Sequence, residues 1–486
     1  MLNKTQPSVN AVLETDYLIV GSGAVGMAFA DSLTAETEDR VLVVDRHHAP
    51  GGHWNDAYPF VRLHQPSAYY GVNSRELSAG GSDPDPLNTG MTERASVAQI
   101  LAYYEQVMAD LVSTGRVDHV PMAVHERTDD GGHVVRSLLT GESRQVRVRK
   151  KVVDTTYLNT AVPATHPPRY EVDEQVACVP INALATIASP PARYVVVGAG
   201  KTGIDACLWL LAQGVDPDLI TWVMPRDSWF QDRANVQPGR EFLVDTFEAM
   251  TSQMAAIAEA DSVPDVLRRL EDSGQLLRLD PTVEPRMYHA AVVSRAEVEQ
   301  LRRIRDVVRL GRVVRLEPTR IVLEQGTVPA RPDWLYVDCS ASAAQLRPPV
   351  PVFDGDCITP QFVRPFQPTF SAAMIAFVEA HYDSDEVKNE ICAVVPLPDE
   401  PQSWLTMQAA SMLNQLRWSQ ERELRRWIAA SRLDGFTAAI RSVDRDNPAD
   451  AARVEVLGRF RDAAMAAGAH LPELLATTTP ERSGVL

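Results

Sequence analysis

Two glycine-rich loops, each set between a short apolar strand and a helical stretch, constrain this chain more than any other feature. Gly21-Ser22-Gly23-Ala24-Val25-Gly26 follows Tyr17-Leu18-Ile19-Val20, and Gly198-Ala199-Gly200-Lys201-Thr202-Gly203 follows Tyr194-Val195-Val196-Val197. Both have the G-x-G-x-x-G order of a Rossmann βαβ unit. The first glycine allows a tight turn, the second lets backbone approach a pyrophosphate, and the third lets helix and strand pack closely. The helix N-terminus then faces the negative charge. One such loop is weak evidence. Two of them, well separated in sequence, point to an α/β chain with two Rossmann-like dinucleotide-binding domains.

The residues after each loop separate the two sites. Past Gly26, a helical stretch leads to the strand Val41-Leu42-Val43-Val44, which ends in Asp45 with Arg46 beside it. A carboxylate about twenty residues past the loop can accept hydrogen bonds from an adenosine ribose, so this site suits FAD or NAD. The second unit's next strand, Leu219 to Met224, ends in Met where the first ends in Asp, with Pro225 and Arg226 following. A missing carboxylate and a nearby guanidinium suit the 2′-phosphate of NADP. The alternative for Arg226 is a solvated pair with Asp227.

With 486 residues the chain exceeds one typical core, and two or three domains are expected. No run of 18 apolar residues occurs, and Met1 to Asn10 is polar without a basic-then-apolar leader. Both point to a cytoplasmic protein with a short disordered lead and no membrane partner. The formal charge of -17 repels nucleic acid. The local basic run Arg144 to Lys151 alternates with Val and Gln, as a half-exposed strand does. The five cysteines form no C-x-x-C, and no histidine cluster accompanies them, so no disulfide framework, redox dithiol or metal site is expected.

The order of elements gives three expected segments. Residues 1–190 form the first part of the FAD domain, including the aromatic- and His-rich stretch from Gly51 to Gly71 and a helix from Ser96 to about Thr114. Residues 191–334 form the NADP domain, interrupted by helical material from about 240 to 308, which is either a wall of the substrate pocket or a solvated helical pair. Residues 335–486 return to the FAD domain and end in a helical C-terminal region.

Four matches in order resemble the class B flavoprotein monooxygenases, the group of flavin-containing monooxygenases, N-hydroxylases and Baeyer–Villiger enzymes. They are Gly21 to Gly26 with Asp45, then Gly51-Gly52-His53-Trp54 (the family's G-G-x-W), Gly198 to Gly203, and Arg226 with Trp229. Arg62-Leu63-His64-Gln65-Pro66-Ser67 is similar to the family segment that lines the flavin, and Val153-Asp154-Thr155-Thr156 to its return strand. Where the family's F-x-G-x-x-x-H fingerprint is expected, the chain has Cys178-Val179-Pro180-Ile181-Asn182-Ala183.

The resemblance implies FAD and NADPH as cofactors. It also implies dioxygen and a small molecule (an amine, a sulfide or a carbonyl compound) as co-substrates, with oxygenation through a C4a-(hydro)peroxyflavin. On that reading Gly52, His53, Trp54 and Arg62 belong to the FAD site, and Lys201 and Thr202 to the NADPH site. Lys201 either reaches a phosphate or caps its loop in solvent. His64 and Gln65 are the candidates beside the isoalloxazine, with a core histidine as the alternative for His64. A flavin-dependent NADPH oxidoreductase without oxygen insertion, and a non-catalytic nucleotide-binding protein, remain open, as does homo-oligomerisation.

Overall fold

The computed structural model describes residues 12–78, 80–158, 160–341 and 347–477. The expected disordered lead, Met1 to Asn10, lies outside them. The strand Leu13–Val20 is continued by helix α1 (Ala24–Glu36) and the strand Val41–Val44, whose four residues are all buried. Burial on both faces is what a parallel sheet between helices demands. Helix α2 (Val97–Ser113) begins at a capping box in which Ser96 and Gln99 satisfy each other's backbone amides. The basic run and the apolar residues after it form one strand, Ser143–Asp154, exposed on alternate residues until Val152 and Val153 enter the core.

The first sheet runs Phe353–Asp354, Cys357–Ile358, Ser143–Asp154, Leu13–Val20, Val41–Val44, Val117–Val120, with a hairpin (Ala123–Arg127 and His133–Ser137) against the long strand. The second runs Asp306–Val308, Ile220–Val223, Arg193–Val197, Trp334–Asp338, Ala177–Pro180, all parallel. The order repeats. In each sheet the strand before the glycine loop has its sequence successor on one side and a late-returning strand on the other. A crevice outside the carboxyl ends of the strands opens at such a switch point. Strand pairing thus draws the second domain's edge ahead of residue 191, because Ala177–Pro180 pairs with Trp334–Asp338.

Helix α3 (Lys201–Ala212) follows the second loop. The stretch 240–308 carries α4 (Leu243–Glu259), α5 (Val263–Asp272) and α6 (Arg295–Leu301). It also carries strands the composition did not suggest. Leu276–Leu277 and Met287–Val293 flank Ser228–Asp232 in a three-stranded sheet, and Asp306–Val308 is the edge of the second sheet. Met287–Val293 is nearly all buried, and the Arg- and Glu-rich helical segments on either side mask it in the sequence. Past the second domain come α7 (Pro368–His381), α8 (Asp385–Ile391), α9 (Pro401–Gln420), α10 (Arg422–Ala430), α11 (Thr437–Arg441) and α12 (Ala451–Ala476). α7 is buried from Thr369 to Val378 and packs on α1, while α12 lies along α4. The five cysteines are free.

Candidate active site

α1 starts at Gly23 and α3 at Gly200, both without a side-chain cap, whereas α2 and α6 have full capping boxes. The first-turn amides of the two loop helices are therefore left for a ligand. A Cβ on Gly26 would lie 2.0 Å from the Gly21 carbonyl oxygen, and one on Gly203 would lie 2.1 Å from that of Gly198. A Cβ on Gly200 would meet nothing within 4 Å. Each loop is closed at its third glycine, and the second is open at its middle one, as a pyrophosphate cradle requires. The uncapped helix starts would suit a dinucleotide at each loop; at the first, Gly52 lies against the middle glycine, and a Cβ on Gly23 would meet its Cα at 3.5 Å.

Around the first loop, Ala24 and Val25 form the opening turn of α1 and Ser22 is buried. The Ser22 amide and hydroxyl donate to Asp45 Oδ2 at 2.5 and 2.8 Å. The other oxygen, Oδ1, accepts from the His47 amide at 2.7 Å and faces His47 Nδ1 at 2.9 Å. His47 Nε2 in turn lies 2.8 Å from Asp56. Burial works against the Asp45 charge, but the hydrogen bonds from His47 and Ser22 hold its carboxyl below the usual range. The expected ribose acid is thus already engaged by the protein, through a histidine that sequence reasoning missed. Arg46 is exposed. The turn Gly52–Asp56 runs against Gly23. Within it, Trp54 is buried and donates from Nε1 to Tyr70 Oη at 2.8 Å, a packing role. Burial pushes His53 down to about 4. Arg62 donates to the Arg94 carbonyl at 2.9 Å, tying the two segments together.

Around the second loop, Lys201 pairs with Asp205 one turn along α3. Asp205 also accepts from Tyr58 Oη of the first domain at 2.6 Å, beside Thr202. Phe60 stacks on Trp209 with centroids 4.6 Å apart. The second loop's helix is therefore docked on the stretch following Gly52. Arg226 has a different partner from the one the sequence offered: Asp399 holds it at 2.9 and 3.2 Å, while Asp227 pairs with Arg309.

His64 and Gln65 are half-buried. Burial, then the charges of Lys201, Arg233 and Arg94, drive the His64 imidazole well below its usual range, so it is neutral near pH 7. Neither arginine was found from the sequence. Each sits in a charged stretch with no periodicity, and only the fold brings them together. Arg94 donates from Nε to Asp83 at 2.6 Å and lies 3.5 Å from Glu297. Arg233, 1% exposed, donates from Nη2 to Glu297 at 2.9 Å and to the Val292 carbonyl at 2.7 Å. Its Nε and Nη1 have no hydrogen-bond partner among the described residues. Within the same set, no His, Cys, Asp and Glu side chains gather to hold a metal, and no helix is long and apolar enough to cross a membrane.

Residues 19–72 match the family model of an NAD(P)-binding Rossmann-like domain, which covers the first loop, Asp45 and the Gly52–Trp54 turn. Uncharacterized proteins of Mycobacterium tuberculosis and Mycobacterium bovis are each 47% identical over 473 residues, 97% of this chain and 86% of theirs. Among solved structures, the polycyclic ketone monooxygenase of the fungus Thermothelomyces thermophila shares the fold. The match covers 95% of this chain and 90% of that one at 13% identity, with a TM-score of 0.50.

Proposed function

The chain belongs to one family with these mycobacterial proteins, and from that premise we propose that it is an FAD- and NADPH-dependent monooxygenase of small molecules. The observation that carries the reading is the docking of α3, the helix after the second loop, on the stretch that follows Gly52 in the first domain. Tyr58, six residues past Gly52, bonds Asp205, four residues past Lys201. Two dinucleotides held at Gly21 to Gly26 and Gly198 to Gly203 would then share one reaction space, walled by His64, Gln65, Lys201, Arg94 and Arg233. Flavin, when bound, supplies the hydride acceptor and the oxygen chemistry. The protein's part is placement, charge and exclusion of water. The uncapped amides of α1 and α3 would hold the pyrophosphates. Neutral His64 can hydrogen-bond a ring edge or the oxygenated product without adding a charge. Arg226, paired with Asp399, follows the strand that lies beside the one leading into the second loop, and it would grip a 2′-phosphate.

The test is direct. The purified protein loaded with FAD is mixed with NADPH under oxygen, and oxygenated product is sought from a panel of amines, sulfides and ketones using labelled dioxygen. Label in the product supports the reading. Stoichiometric hydrogen peroxide with no labelled product from any of them sinks it, and leaves a flavin-dependent NADPH oxidoreductase. In the same assay NADPH is expected to serve better than NADH. Arg226→Ala should reduce that preference about ten- to a hundred-fold, the worth of a charge-assisted contact to phosphate, with little change in the saturated rate.

A further inference from the structure

We propose that the arginine-lined wall of this site is an anion subsite, and that it takes the carboxylate of the molecule oxidised there. The inference rests on the reading just given, because it places a substrate beside His64.

Three observations converge. Arg233 is buried to 1% exposure, and the carboxylate it pairs with, Glu297, is shared with Arg94. Its Nε and Nη1 have no acceptor among the described residues. A buried guanidinium with two unspent donor nitrogens is costly to keep, and an oxyanion is the group that would satisfy it. Secondly, the charges that bear on His64 are those of three cations: Lys201, Arg233 and Arg94. Thirdly, each neighbouring acid already has its own partners, and these leave Nε and Nη1 of Arg233 unspent. Asp83 faces Arg94, Glu297 bridges both arginines, and Asp205 is held by Lys201 and Tyr58.

The same inventory fixes the class of anion. Asp83, Asp85, Glu297 and Asp205 already outnumber the three cations, so only the free nitrogens of Arg233 favour an anion, and a dianion such as a phosphate would be under-compensated. The dinucleotide phosphates have their own cradles at the uncapped starts of α1 and α3. A monoanionic carboxylate matches two free nitrogens of one guanidinium, with the neutral His64 imidazole as a further partner.

Matched probes test the idea. 3-(Methylthio)propanoate and 4-oxopentanoate are compared with their methyl esters for binding to the FAD-loaded protein. Binding is read by the shift in flavin absorbance and by the shift in melting temperature. The acids should bind at least about tenfold tighter than the esters, and rising salt should narrow the gap only modestly because the site is buried. Arg233→Met should abolish the acid preference while leaving ester binding in place. Should that variant not fold, Arg233→Lys is read in its place; it keeps the charge, loses the planar fork, and should cut the preference several-fold. Equal binding of acid and ester, no binding of either acid, or an undiminished preference in the folded variant would overturn the proposal. If the chain takes up no flavin, the functional reading fails. The acid–ester comparison by melting temperature on the flavin-free chain then still decides the subsite.

Discussion

At the residue scale, Gly200 and Gly203 lie in one loop and demand opposite things. Gly203 has the Gly198 carbonyl where its Cβ would be, so Gly203→Ala must push strand and helix apart. We expect a loss of about 1–3 kcal/mol by denaturant unfolding, as for other overpacked sites. Gly200 has extended backbone and open space in front of it, so Gly200→Val should keep the parent's stability within about 0.5 kcal/mol. Its cost falls on the coenzyme: NADPH affinity should drop about ten- to a hundred-fold as the side chain takes the phosphate's place. Matched loss of stability in both variants would remove the case for a ligand cradle. His47 offers a pH signature. Its hydrogen bond to Asp45, opposed by burial and reinforced by Asp56, raises its pKa above the ordinary 6.5. The stabilisation is therefore complete below about pH 6.5, where both folded and unfolded forms are charged, and it fades as pH rises through the higher folded value. His47→Asn should cost about 1 kcal/mol at pH 6 and clearly less at pH 9 in paired denaturation curves.

At the element scale, the helices after the second domain pack on the helical material that interrupts it. α4 and α12 share one apolar seam, with Leu243, Phe247 and Val456 in one cluster and Met254, Ile257, Ala467, Leu471 and Leu474 in another. Removing residues 451–486 would leave that face of α4 to water. Limited proteolysis should then cut first within 240–272, with the two nucleotide sheets still protected, and aggregation should rise. Simultaneous cleavage of all three parts would contradict this. What the sequence could and could not reveal divides along the same line. Strand–loop–helix units have local signals, glycines at fixed offsets and runs of Val, so both cradles and their order were legible from Tyr17 and Tyr194 onward. Met287–Val293 lacks alternation because it is buried on both faces, so its strand state depends on Ser228–Asp232 beside it. Arg94 and Arg233 carry no local signal, because the carboxylate they share, Glu297, is brought to both by packing between segments far apart in sequence. Asp45 was found by position, but its tie to His47 is a matter of side-chain geometry that no spacing encodes.

At the scale of the whole molecule, one domain is nested inside the other. The first sheet is begun by Leu13–Val20 and finished by Cys357–Ile358, which pairs with Val152 and Val153, and α1 is covered by α7 from the far side of the second domain. This nesting has a consequence during synthesis. Between Asp154 and Pro368 the ribosome must add more than two hundred residues. At about 5–20 residues per second that takes roughly 10–40 s. For that time α1, with Met27, Ala28, Phe29, Ala30 and Leu33 fully buried in the finished protein, waits without its cover. The second nucleotide domain, whose strands all emerge within this interval, is able to fold first. The nascent chain is thus most exposed to chaperones and to aggregation while its N-terminal half is complete in sequence and unfinished in structure.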